Sequence, residues 1–180
     1  FISSNPNITM NFIEKYPNKP WIWEWISSNP NITLNFIEKY SNKPWKWGFN
    51  GISRNPNITM DFIEKFPDKP WYWEYISRNP NLTMEFIEKY PNKEWDWRWI
   101  SMNSNITMDI IEKYPNKPWE WDYISQNPNI TMEFIEKYID KIFMPYLSYN
   151  DFTYENKQIK KKEAYWLLEE TQAFNKTQNL

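Results

Sequence analysis

Hydrophobic and polar positions along the chain follow one block that keeps returning. "ISSNPNITMNFIEKYPNKPWIWEW", from Ile2, recurs from Ile26, Ile52, Ile76, Ile100 and Ile124, at spacings of 24, 26, 24, 24 and 24. A fixed period of this length decides the fold before any local reading does, because so short a unit buries a core only against its neighbours. Between Pro6 and Pro17, "NITMNFIEKY" predicts a two-turn helix. Thr9 suits its N-cap, and Ile8 with Ile13 forms a hydrophobic staple. Met10, Phe12, Ile13 and Tyr16 share one side of this helix, with Asn11, Glu14 and Lys15 on the other. The residue two after the threonine is Asn11, Asn35, Asp61, Glu85, Asp109 and Glu133 in the six copies, mostly acids where the helix dipole favours them.

The second apolar stretch, "PWIWEWIS", supports two periods. Trp21, Trp23 and Trp25 alternate as on a strand, yet Trp21 with Trp25 and Trp23 with Ile26 also pair at helical spacing. The favoured reading is a short helix, N-capped by Asn18, Asn42, Asp68, Asn92, Asn116 and Asp140, with proline in its first turn. It stops by about Ser28, since Asn29 precedes Pro30 and is pushed out of the helical region. The alternative is a strand-plus-helix solenoid resembling the leucine-rich repeats, whose period overlaps 24 but whose Leu and Asn ladder is not here. The expected architecture is therefore an all-α solenoid of short two-helix repeats of 24 residues, with five full copies and a half copy over 1–138. Residues 139–180 form a C-terminal cap and polar tail: "IDKIFMPYL" replaces the Trp-bearing element, and 157–172 predict an amphipathic capping helix.

Magnitudes require the copies to stack. Ordering ~24 residues costs ~36 kcal/mol, while burying ~1,200–1,500 Å² of apolar surface returns ~30–37 kcal/mol. One repeat alone nets about zero, and two Trp of ~200 Å² each supply about a third of the area.

Composition narrows the chemistry. Aromatics make up 20% of the 180 residues, 13 of them Trp, and Val is absent while Asn, Ile and Lys abound, as AT-rich codons would supply. The absence of Cys and His removes disulfides, cysteine zinc sites and imidazole acid–base chemistry. A net charge of -2 argues against coating nucleic acid or an anionic membrane. No apolar run reaches the length of a membrane span and no signal peptide is visible. The chain begins at Phe1 inside a repeat, so it is expected to be a fragment or a processed product.

The joined units "NPNIT" and "KPWxW" resemble the tandem repeats of proteins encoded by mimivirus-like giant DNA viruses of amoebae. The resemblance covers Phe1 to about Tyr138, with departures at Ser41 and Ser104, where proline is replaced, and at Glu94 before Trp95. It implies a viral product in the host cytoplasm or the virion and little about activity.

Three recurring features invite chemistry. Glu14, Glu38, Glu64, Glu88, Glu112 and Glu136 place a carboxylate in every copy, but a uniform ladder beside lysines is expected to be a solvated face rather than a calcium site or acid pair. Sequons run from Asn7, Asn31, Asn57, Asn81, Asn105 and Asn129, with a seventh at Asn175, yet the repeat threonines already serve as N-caps. The Trp pairs with nearby lysines are expected to form inter-repeat core, with a stacking track for single-stranded nucleic acid or glycan as the alternative function.

Comparison of the copies is more informative. Ile22, Lys46, Tyr72, Asp96 and Glu120 differ entirely at one position, as do Glu24, Gly48, Glu74, Arg98 and Asp122 at another, and Ser28, Arg54, Arg78, Met102 and Gln126 at a third. The chain's three arginines all lie in this set, and arginine with aromatics is what interface hot spots favour. Tyr72, Arg54, Arg78 and Arg98 lead the candidates for a protein-contact surface, followed by Lys46, Asp96, Glu120 and Phe49. The functional expectation is a non-enzymatic protein-binding scaffold without cofactor or metal, or a structural component of the virion. One break stands out. In "WKWGFNGIS" the only two glycines, Gly48 and Gly51, mark a two-residue insertion, expected to bulge through glycine's freedom at positive φ and to put Phe49 in the place of Trp25 or on the surface.

Overall fold

A computed structural model describes residues 2–148 and 150. The predicted capping helix over 157–172 and the sequon at Asn175 lie outside them. The described residues form an all-α repeat solenoid and contain no strand, so the strand-plus-helix alternative is set aside. They divide between Asp96 and Trp97 into two compact units.

The first unit holds α1 (Met10–Lys15), α2 (Trp23–Ile26), α3 (Leu34–Lys39), α4 (Met60–Lys65), α5 (Trp73–Ser77) and α6 (Met84–Lys89). The second holds α7 (Trp97–Ser101), α8 (Met108–Lys113), α9 (Trp121–Ile124), α10 (Met132–Lys137) and α11 (Met144–Leu147). The longer helices start as the sequence predicts. In all six copies a threonine, from Thr9 to Thr131, accepts the backbone N–H three residues on through its hydroxyl. Both staple residues are buried, Ile8 at the N′ position and Ile13 one turn inside.

Where a Trp-bearing element forms a helix, that helix starts later than expected. It opens at the second Trp, and its N-cap is Ile22, Tyr72 or Glu120, in extended backbone with no side-chain cap. Asn18 and its counterparts are therefore not caps. Trp21 overrides that start: its indole N–H donates to the Tyr16 carbonyl at 2.9 Å, closing the end of α1, while the chain turns tightly at Pro20, with Trp21 N bonded to Lys19 O at 2.8 Å, and is extended at Ile22. Trp45, Trp71, Trp95 and Trp119 make the same bond, at 2.8–2.9 Å, to the carbonyl five residues back. The carbonyl that ends each of these longer helices thus carries two bonds, one from the indole and one from the backbone N–H of the lysine three residues on, as from Lys19 to Tyr16 O at 3.2 Å.

Three aliphatic columns and an aromatic row form the core. Ile26, Ile52, Ile76, Ile32, Ile58 and Leu82 of the first unit are fully buried, with Ile37 and Ile87 buried as well, and so are Ile100, Ile124 and Ile106 of the second. The second Trp of one repeat meets the first Trp of the next edge to face. Trp23–Trp45, Trp47–Trp71 and Trp73–Trp95 lie 4.9, 5.3 and 5.0 Å apart in the first unit, and Trp97–Trp119 5.2 Å in the second. The lysine two residues before a first Trp lies over the previous repeat's second Trp: Lys43 over Trp23, Lys69 over Trp47 and Lys93 over Trp73, at 5.5, 5.2 and 5.0 Å.

Copy two has no second helix. Ile52 N donates to Lys46 O at 2.8 Å and Ser53 N to Trp47 O at 2.9 Å, six residues back, where Ile26 and Ser27 reach four residues back to Ile22 and Trp23. The insertion is looped out while the bonds at its ends are kept. The glycines do not act as expected: neither has positive φ, and the residue that does is Asn50, at φ 53°. Gly51 is required by close approach, since a Cβ there would sit 2.0 Å from the Lys46 carbonyl oxygen; at Gly48 it would sit 3.0 Å from that of Pro70.

Candidate protein-interaction surface

Two buried polar columns hold the repeats in register. The serine of each "IS" pair is buried, and its hydroxyl accepts the backbone N–H of the variable residue nineteen residues on, which leads into the next Trp-bearing element. Ser3 takes Ile22 N at 3.1 Å, Ser27 takes Lys46 N at 2.9 Å, Ser53 takes Tyr72 N and Ser77 takes Asp96 N, both at 3.0 Å. In the second unit Ser101 takes Glu120 N at 3.0 Å and Ser125 takes Phe143 N at 2.9 Å. The second column is an asparagine ladder, which the sequence comparison with leucine-rich repeats did not find. Asn29 donates to the carbonyls of Asn5 and Ile8 in the preceding copy, Asn55 to Ile32, and Asn127 to Ser101, Asn103 and Ile106. Asn150 continues it on Ser125 O, so the anchors run on through α11, where Phe143 stands in the variable position.

The sequon asparagines belong to the same framework. Asn31, Asn81 and Asn129 donate their side-chain amides to Pro6, Pro56 and Ser104 carbonyls of the preceding copy, at 2.6, 3.0 and 2.7 Å. The glutamate ladder is an inter-repeat ion-pair row: Lys39–Glu14, Lys65–Glu38 and Lys89–Glu64 at 2.7–2.8 Å, and Lys137–Glu112 at 2.9 Å. Lys39 beside Glu14 holds that carboxyl below its ordinary range and is itself raised; Glu64 and Glu112 raise Lys89 and Lys137 in the same way.

No protein-family model, curated protein or solved structure matches the chain. The surface must be read from its own geometry. Four of the sequence candidates come together in the first unit. Phe49, 55% exposed, stacks on Tyr75 at 5.9 Å and meets Tyr72 edge-on at 5.5 Å. Arg78 pairs with Glu74 at 2.6 Å and lies over the Tyr75 ring at 5.6 Å. Arg54 and Arg78 line a small open cleft of ≈ 120 Å³ together with Tyr75, Pro56 and Pro80. Phe49 is thus on the surface and does not replace Trp25 in a helix.

The remaining candidates sit elsewhere. Lys46 is half-buried and paired with Glu24 at 2.5 Å. Asp96, also half-buried, ends the first unit, and Arg98 and Glu120 are exposed in the second. Tyr72 donates its hydroxyl to Glu74 at 3.1 Å, and the carboxylate pushes the phenol's pKa up. Sequence reasoning passed over Tyr75, because it occupies a column where every other copy also has an aromatic; only the neighbouring insertion exposes its role. Among the described residues, no three metal-ligating side chains gather and no helix is long and apolar enough to cross a membrane.

Proposed function

We propose that the chain is a non-enzymatic scaffold for protein–protein interaction, presenting variable side chains from an invariant frame. One observation carries the reading: the backbone N–H of each variable residue is held by the buried serine nineteen residues before it, whatever the side chain. Ile, Lys, Tyr, Asp and Glu therefore occupy equivalent backbone positions, and chemistry varies while position does not. Repeat proteins use such surfaces for binding. The repeats' resemblance to those of giant amoebal viruses makes the host cytoplasm or the virion the place of action. A Trp stacking track for nucleic acid or glycan is disfavoured, because the first Trp of each pair commits its indole N–H and Lys43, Lys69 and Lys93 cover second Trp faces.

The test is affinity capture from virus-infected amoebae with the whole chain and two variants. Lys46→Ser/Tyr72→Ser/Glu120→Ser alters the display, and Lys39→Ser alters only the ion-pair row. We expect the first to lose a defined set of captured proteins that the second keeps, with both unfolding within about 1 kcal/mol of the parent. Identical capture by all three overturns the reading.

A further inference from the structure

We propose that the notch beside the insertion binds a short acidic peptide, seating one carboxylate on Arg54 and an adjacent apolar side chain on the shelf of Phe49, Tyr72 and Tyr75. This deepens the scaffold reading and rests on it.

Charge is the first argument. The cleft carries two guanidinium groups, of which Arg78 is offset by Glu74 at 2.6 Å. Arg54 is exposed and its guanidinium has no ion pair or hydrogen bond among the described residues. Arg54 is therefore the cation that the cleft leaves open, which matches one carboxylate and not a phosphate backbone, whose binding takes a track of cations. An arginine fork recognises a carboxylate in bidentate geometry.

Shape is the second. The opening of ≈ 120 Å³ is of the order of one side chain, and Pro56 and Pro80 in its walls have no N–H to offer. Other polar groups of the site are engaged: Ser53 Oγ bonds to Trp47 O and Tyr72 N, Tyr72 O–H goes to Glu74, and Tyr75 O–H goes to Asn50 Oδ1 at 3.3 Å. What faces outward is aromatic surface beside one unpaired cation, the combination that concentrates binding energy at peptide interfaces. The site is unique along the array because Phe49 and Asn50 belong to the insertion and Arg54 follows it on the turn Ile52–Arg54.

The experiment selects phage-displayed random heptapeptides on the immobilised whole chain, then titrates the most enriched peptide, fluorescein-labelled, by anisotropy. Enriched sequences should place Asp or Glu next to an aliphatic or aromatic residue. Their Kd should weaken about tenfold with Arg54→Gln, further with Arg54→Glu, and about tenfold with Phe49→Ser, while Lys137→Glu leaves it unchanged. Circular dichroism should be the same for all four variants; if Arg54→Glu alone is altered, Arg54→Gln decides. Absence of enrichment, peptides lacking an acid, or binding indifferent to both Arg54 variants overturns the proposal. Binding that ignores Arg54 but falls with Glu120→Lys sinks the notch and leaves the scaffold reading standing.

Discussion

At the scale of single residues, a buried serine does the work usually assigned to apolar packing. Ser53 is 1% exposed, donates to Trp47 O at 2.6 Å and accepts from Tyr72 N at 3.0 Å. Alanine would fill nearly the same space and leave the Tyr72 N–H without its partner in the interior, while Trp47 O kept its bond from Ser53 N. The expected cost of Ser53→Ala is about 1–3 kcal/mol, from the penalty of unsatisfied buried polar groups. Ser28, exposed and bonded only to Trp25 O at 3.0 Å, is the control, and Ser28→Ala should change urea-denaturation stability by no more than about 0.5 kcal/mol. Equal effects would mean that the serine column does not hold the stack. The signal for this role was present in the sequence: serine repeats without change directly after an Ile in every copy, where a solvated position would have drifted.

At the scale of elements, an ion-pair row ties successive longer helices within each unit. Lys39 depresses the Glu14 pKa below its ordinary 4.5, so this pair's contribution is complete above the ordinary carboxylate range and is lost as pH falls through the depressed value. Lys39, Lys89 and Lys137 are raised above 10.5, so their contribution is complete below that value and is lost as pH rises through the raised one. Glu14→Gln should therefore flatten the acid limb of the urea midpoint measured against pH, and added salt should shrink the difference between variant and parent, because these charges are exposed. A steeper acid limb in the variant would refute the pairing. The longer helices were legible from sequence because their determinants are local: a threonine cap, a staple and a 3.6-residue period within a few positions. The start of the second helix was not, since it depends on an indole reaching back five residues to close the previous helix, a side-chain bond that outweighs the propensity of Asn18 and Pro20. The asparagine ladder was hidden for a related reason. Asn29 looks like an ordinary residue before proline until the preceding copy supplies the carbonyls that it bonds.

At the scale of the whole molecule, the array is periodic in sequence except at one place, and the candidate notch is there. The looped-out insertion keeps the terminal bonds of a helical turn without the turn itself, and the fold retains Gly51 because any Cβ would strike the Lys46 carbonyl. Replacing Gly48 with Glu and Phe49 with Trp while deleting Asn50 and Gly51 restores the first copy's "WxWEWIS" spacing. The Ile and Ser that follow would then reach four residues back to Lys46 and Trp47, as Ile26 and Ser27 reach Ile22 and Trp23. The regularised chain should gain helical ellipticity and about 1 kcal/mol of stability, in the range of other consensus substitutions. It should also lose the acidic peptide, because the shelf loses Phe49 and Asn50 no longer positions Tyr75. Calorimetry and anisotropy on the same preparation check both outcomes. Stability gained with binding retained would place recognition elsewhere in the array; binding lost with stability unchanged would show that the insertion is no burden on the fold. The paired result marks the insertion as the point where the array gives up regularity for a site.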